Sequence, residues 1–298
     1  MLLEVSAYPK PGNVHRTRGH TETRFEHFLA SAAASGPHFE RAAERGVLIS
    51  MGRISYHSAR VGSTIRDAVI CTMRSQRGGN TSLGTLTLLV PLAVAAGMTL
   101  THRTFSLPSL RRNLRRILRS TTAADAVALY EAVEHAKPAG LGTAPEFDVK
   151  DSSSKRKILR QGLTLFDIFR LAADWDSICR EWVTNYKITF ELGYPVLRKE
   201  LAKNKDINEA TVNTYLKILS EIPDTLIARK AGLEKAQWVS TRAKKALALG
   251  GLGSKNGRKE IERLDTELRM NSNILNPGTT ADLSASVLAL ATLSGYKP

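Results

Sequence analysis

Four groups of residues carry side chains at spacings that could do chemistry. The first is Glu4, then Pro9-Lys10-Pro11-Gly12, then Val14-His15-Arg16. Each proline fixes φ and pushes the residue before it out of the helical region, and Gly12 opens backbone geometry closed to other residues. The product is a stiff, basic, non-helical loop that could hold phosphates. It could equally be a turn that ends a helix and leaves its charges in water. The second group is Gly78-Gly79-Asn80-Thr81, running directly into an apolar stretch. Unpaired N–H groups and the dipole at a helix start make an anion site, although Asn80 or Thr81 as an ordinary N-cap is the plainer alternative. The Gly-Lys-Ser/Thr ending of a Walker loop is absent. The third group puts Asp224 close to Arg229 and Lys230, either as a surface bridge of little worth or as part of a site. In the fourth, Asn276-Pro277-Gly278-Thr279-Thr280-Ala281-Asp282 enters an apolar helix. Thr279 or Thr280 is expected to cap that helix. Asp282 falls in its first turn, where a carboxylate suits the dipole.

These groups need a scaffold, and the bulk numbers bound it. The chain has 298 residues, 42 % of them hydrophobic, enough for a buried core. Its net charge of +15 favours anionic partners: nucleic acid, nucleotides, phosphorylated cofactors or acidic membranes. Aromatic residues make up only 6 %, which leaves little material for stacking bases. Cys71 and Cys179 lie far apart and form no zinc or redox motif, which fits a reducing compartment or simple core burial. No signal peptide is visible. The stretch Leu83–Leu100 lacks charges but contains Gly84, Pro91 and Gly97, and reads as a buried core helix with a proline kink rather than a membrane span. The expected location is cytoplasmic.

Helical periodicity dominates the rest. Phe25, Phe28, Leu29 and Ala32 recur at i, i+3, i+4 and i+7, predicting a helix over 23–35 that Gly36-Pro37 ends, with another beginning at 37. Residues 110–119 form a basic amphipathic helix with Arg111, Arg112, Arg115, Arg116 and Arg119 set against Leu110, Leu114, Ile117 and Leu118. Residues 137–154 are the longest irregular segment, either a lid-like loop or a surface crossing. A long helical stretch is expected over 156–190, interrupted by Glu191-Leu192-Gly193-Tyr194-Pro195. A charged helix is expected over 259–270. Residues 1–5 read as the last turns of a helix whose start is missing. No stretch alternates with period two for long, so the expected fold is all-α: one compact domain over 1–298, with about ten to twelve helices.

Four segments stand in the order found in a known family: Glu4-Val5-Ser6 with Pro9 to Gly12 and Val14-His15-Arg16; Gly78-Gly79-Asn80-Thr81 with Gly84; Glu191 to Pro195; and Asn276 to Leu283. The chain resembles the triphosphoribosyl-dephospho-CoA synthase family over essentially its whole length. The resemblance implies an all-helical enzyme that joins ATP to 3′-dephospho-CoA through a new ribosyl bond and releases adenine. There are departures. Many bacterial members have His-Lys where this chain has Ser82-Leu83, Gly-Asp-Thr-Asn where it has Pro223-Asp224-Thr225-Leu226, and Val-Asp-Arg where it has Val14-His15-Arg16. These changes resemble a variant of archaea and one-carbon-metabolising bacteria, and they bear on the acceptor more than on the reaction class.

Breaking an N-glycosidic bond passes through an oxocarbenium-like state. It needs help for the departing adenine, a base for the acceptor hydroxyl and cations on the triphosphate. Under the resemblance, Lys10, His15, Arg16 and Arg229 are assigned to phosphates. Asn80 and Thr81 cradle phosphate or ribose, and Asn276 and Gly278 bind substrate. Asp224 and Asp282 serve as base or as ligands to Mg²⁺, with Glu4 as a third carboxylate. The expected partners are ATP and a phosphorylated acceptor, with homo-oligomers left open. Two rivals stand beside this: a nucleotide or ADP-ribose hydrolase, and a helical RNA-binding protein using the 111–119 face, against which the few aromatics and the lack of a nucleic-acid motif count.

Overall fold

A computed structural model describes residues 1–100, 105–270 and 273–298. The all-α expectation holds: the described residues form fifteen α-helices, with short 3₁₀ and π segments and no β-strand. The helix number exceeds the expected ten to twelve because one stretch subdivides and one helix has no counterpart among those expected. The stretch over 156–190 breaks into Ser154–Gln161, Leu165–Ala172 and Ser177–Val183. Gly162 takes a left-handed φ of 66° after the first, Thr164 and Asp167 form a reciprocal capping box at the second, and Asp176 caps the third. Hydrophobic period alone hides these stops. Leu233–Ala248 is the unread helix.

Two further expectations are corrected. The break at Gly36-Pro37 does not occur, and Phe25–Ser50 is one helix with Pro37 inside it. Pro37 and Ala33 are both exposed, so the carbonyl that the proline leaves unpaired can meet water. The segment Glu191 to Pro195 is not an interruption. Ile188–Gly193 is a π-helix that runs straight into Tyr194–Asn204, with Pro195 just after the junction.

The chain clusters into two compact units. One comprises Met1–Leu29, Ala139–Leu141 and Lys187–Pro298. Its core is built by Ile207–Glu221, Leu233–Ala248 and Lys255–Arg269, through Val212, Tyr215, Leu216, Val239, Ile261 and Leu264. The π segment packs on the last helix, Gly278–Leu293, where the Thr189 hydroxyl donates to Ser286 at 3.1 Å. The other unit comprises Ala30–Pro138 and Gly142–Tyr186. Leu83–Leu100 is its spine. It is the one helix among the described residues long and apolar enough to cross a membrane, and 78 % of it is buried inside the protein, as a core helix is. Within this unit the Trp182 Nε1 donates to the Thr87 carbonyl at 3.2 Å and the Tyr186 hydroxyl to the Leu88 carbonyl at 2.7 Å. Residues 137–153 are irregular, as expected, and Tyr130 ties them down through the Phe147 carbonyl.

Gly46 and Gly97 let two helices of this unit touch backbone to backbone. A Cβ on Gly97 would overlap the Ala43 carbonyl, and one on Gly46 the Val94 carbonyl. Gly36, in contrast, has open space around its missing Cβ. Gly97→Ala is therefore expected to cost about 1–3 kcal/mol in urea unfolding, the usual cost of overpacking. Gly36→Ala is expected to be neutral or to stabilise by up to about 1 kcal/mol.

Candidate active site

All the assigned residues except Asn80 and Thr81 fall in the first unit. There the early loop, Thr225–Ala231 and the start of Gly278–Leu293 meet. The loop after Leu2–Ser6 is held rigidly. The Gly12 N–H donates to Asp265 Oδ1 at 2.8 Å, and its φ of 72° and contact with Leu268 and Pro277 leave no room for a side chain. Arg269 donates to the same Asp265 oxygen at 2.7 Å and also to the Asn13 carbonyl, while Arg18 takes Asp265 Oδ2 at 2.8 Å. The Tyr215 hydroxyl donates to the Pro11 carbonyl at 3.0 Å, and Asn13 Nδ2 to the Pro277 carbonyl at 3.2 Å. Sequence reasoning missed Asp265, Arg269, Tyr215 and Asn13 as loop-holders. The only available signal was that Asp265 and Arg269 stand four residues apart on one helix face.

Lys10 is fully buried and ion-paired with Glu4, itself buried. Burial pushes the Lys10 ammonium below its usual range, while Glu4 and then Asp282 pull it back. As it stands, Lys10 cannot reach a ligand in solvent, so the phosphate role expected for it does not fit this conformation. Glu4 is likewise committed to Lys10. Arg16 is exposed, its guanidinium 4.1 Å from the Tyr8 ring centre. Arg229 is exposed. Lys230 is half-buried beneath Gly140, and burial lowers its affinity for a proton.

Asp224 is a structural hub. Its Oδ1 accepts from the N–H groups of Leu226 and Ile227 at 2.9 and 3.1 Å, capping Thr225–Ala231. Its Oδ2 accepts from the N–H and hydroxyl of Thr280 at 2.7 and 2.8 Å. The expectation that Thr279 or Thr280 caps the last helix is corrected: both lie inside it, and Asp224, fifty-six residues before Thr280, accepts the Thr280 N–H instead. Burial raises the Asp224 carboxyl, and the Thr280, Ile227 and Leu226 donors pull it back down. With four donors in place, Asp224 has no lone pair directed to a metal or a substrate proton.

Several polar atoms beside this hub lack a partner. His15 Nε2, His20 Nε2 and Asn276 Oδ1 are buried and unbonded. His15 Nδ1 is 3.0 Å from the Thr17 hydroxyl. Burial first, and then Arg269, hold both imidazoles neutral, each pushed down to about 4. His20 escaped sequence reasoning altogether. Asn276 sits at the helix entry, and Gly278 is packed so closely on Leu226 that a Cβ there would clash. Asp282 is half-buried and is the fifth residue of Gly278–Leu293, beyond the first turn where the sequence placed it, because the helix begins at Gly278 rather than at the threonines. Among the described residues, no three His, Cys, Asp or Glu side chains gather as a metal cluster.

In the other unit, Asn80 Oδ1 accepts from the Ser82 and Leu83 N–H groups at 3.3 and 3.0 Å. Thr81 meets the Ser31 hydroxyl at 2.7 Å. Asn80 thus closes a local turn ahead of Leu83–Leu100, and the residue next to the helix is Ser82, whose carbonyl accepts the Leu86 N–H at 2.8 Å, so neither Asn80 nor Thr81 stands at the N-cap position expected for them.

A family model for ATP:dephospho-CoA triphosphoribosyl transferase matches residues 1–298. The chain belongs to the ATP:dephospho-CoA triphosphoribosyl transferase family. A Pseudomonas fluorescens relative, assigned as a 2-(5''-triphosphoribosyl)-3'-dephosphocoenzyme-A synthase, is 25 % identical, the match covering 97 % of this chain and 87 % of that protein. A relative of the same assignment from Azotobacter vinelandii is 35 % identical over 98 residues, where the match spans only 33 % of each protein. The crystal structure of a protein from Archaeoglobus fulgidus, assigned as a triphosphoribosyl-dephospho-CoA synthase, superposes with a TM-score of 0.66. It is 28 % identical over 91 % of this chain and 100 % of that one.

Two outcomes follow. Asp224→Asn puts an NH₂ against donors, and is expected to lower stability by about 2–4 kcal/mol in urea unfolding. The second concerns pH. The unfolded chain binds protons on His15 near 6.5 but the folded chain only near 4, so wild-type stability is expected to fall as pH drops from about 6.5 to about 4. His15→Asn is expected to lessen that slope by up to about 3 kcal/mol across the window, read by thermal unfolding at stepped pH.

Proposed function

We propose that this chain transfers the triphosphoribosyl part of ATP to a hydroxyl of 3′-dephospho-CoA or a related cofactor precursor, and releases adenine. Family membership supports the reaction class. The observation that carries the site is the meeting of three remote segments around the unbonded Nε2 atoms of the neutral His15 and His20 and the unbonded Oδ1 of Asn276, with Arg269 and Lys230 close to His20. Buried donors and acceptors left unbonded, next to cations, are what a phosphorylated sugar would satisfy.

The roles follow from chemistry. The bond from the ribose anomeric carbon to the adenine nitrogen breaks, and its electron pair leaves with adenine. A new bond forms from the acceptor oxygen to that carbon, and the acceptor proton passes to a base. Asp282 is the carboxylate proposed for that proton, because Asp224 is fully occupied. The exposed Arg16 and Arg229, with Lys230, clamp the triphosphate, and Asn276 and the neutral imidazoles orient ribose or base by hydrogen bonds. Glu4, Lys10 and Asp224 act as positioning residues.

Asp224 does not fit as a ligand to Mg²⁺. Asp282 fits as one carboxylate for a magnesium ion that keeps most of its shell from water and phosphate oxygens. Such an ion would neutralise triphosphate charge. A cytoplasmic location agrees with two free cysteines.

With Mg-ATP and dephospho-CoA, free adenine is expected together with an acceptor heavier by one triphosphoribosyl unit. Asp282→Asn is expected to lower adenine release by about 10²-fold or more. Arg16→Ala is expected to raise KM for ATP more than it lowers kcat. Adenine accompanied by free triphosphoribose would mark a hydrolase instead, and no adenine with any acceptor would refute the reading.

A further inference from the structure

The second unit contains a cavity of about 310 Å³ that none of this chemistry uses. One wall is the helix Leu107–Arg119, the other Phe166 and residues 182–185. Arg111, Arg115 and Arg119 line it, at i, i+4 and i+8. Four helical residues rise about 6 Å, so the three guanidiniums form a row of like charges, an arrangement that weakens an isolated helix.

The plain account of such a row is that arginines satisfy the carbonyls at a neighbouring helix end. That account fits Arg111, whose Nε donates to the Asn185 carbonyl at 3.0 Å just beyond Ser177–Val183. It does not extend to the other two. Among the described residues, Arg115 and Arg119 form no ion pair with a carboxylate and no hydrogen bond to a helix end. The Arg119 guanidinium lies 5.2 Å from the Phe166 ring centre. A cation–ring contact uses no N–H donor, so it does not spend the hydrogen bonds with which a guanidinium takes a phosphate. Arg112 and Arg116, of the same charge and on the same helix, do not line the cavity, and Arg112 turns to the Ser109 hydroxyl at 2.9 Å. A buried Asn185 Oδ1 without a partner stands in the opposite wall, an acceptor for a ligand hydroxyl.

We propose that this cavity is a second anion site, which takes a small phosphate-bearing molecule through Arg115 and Arg119. Its concave shape and modest volume suit a phosphorylated sugar or a diphosphate rather than an extended strand. The scarcity of aromatics argues the same way. None of its lining residues is among those assigned to transfer, and it does not depend on that assignment.

Isothermal titration calorimetry of the full chain with inorganic pyrophosphate tests it, on wild type, Arg115→Ala/Arg119→Ala and Arg112→Ala/Arg116→Ala. Both double variants lose the same charge from exposed positions. The wild-type isotherm is expected to contain a component that the first variant weakens by at least about tenfold and the second keeps. Equal loss in both variants would reduce the effect to overall charge and overturn the proposal, as would no loss in either. A short single-stranded RNA serves as the other arm. If it binds more tightly than pyrophosphate, with steep salt dependence and full loss in both variants, the face is a nucleic-acid surface and the proposal falls.

Discussion

The candidate site depends on one carboxylate that caps two helices at once. Asp224 holds the start of Thr225–Ala231 with one oxygen and the start of Gly278–Leu293 with the other. Each helix start leaves N–H groups that must find acceptors. Sharing one buried carboxylate satisfies them and fixes the two starts relative to each other. Asn276, Gly278 and Asp282 on one side, and Arg229 and Lys230 on the other, inherit that geometry. The cost is a buried charge, offset by four short donors rather than by a counter-ion.

The same logic recurs around it. Glu4 and Lys10 bury their charges against each other, and Asp265 divides its oxygens among the Gly12 N–H, Arg18 and Arg269. These contacts turn the proline-rich loop into a fixed wall. Removing one partner from such a pair costs far more than the pair itself contributes, so the polar residues stand or fall together. His15, His20 and Asn276 differ in kind. They sit in the same region with bonding capacity unspent. The contrast between satisfied holders and unsatisfied neighbours separates scaffold from site.

Much of this was legible in the residues. Absence of period-two alternation gave the all-α class, and the apolar run at Leu83–Leu100 gave a core helix. The loop, Asp224 and Asp282 were singled out from type and spacing, and Asn276 through the family resemblance. What stayed hidden was non-local. Nothing near Thr280 announces that its cap comes from Asp224, and nothing near Lys10 announces that it is buried rather than offered to a ligand. Pro37 misled because a proline stops a helix only when the carbonyl it strands has no other partner. Asn80 reads as an anion site or an N-cap because both begin from unpaired N–H groups, yet it stands three residues before the helix and takes the N–H groups of Ser82 and Leu83 in a local turn.

The central claim is that one end of the first unit, walled by the early loop and the two capped helix starts, receives ATP. Hydrogen–deuterium exchange of the full chain with and without Mg-ATP tests this directly. The account predicts that ATP slows exchange in peptides covering residues 8–20 and 273–284. Slowing confined to residues 107–119 and 182–185, or none anywhere at saturating ATP, would contradict it.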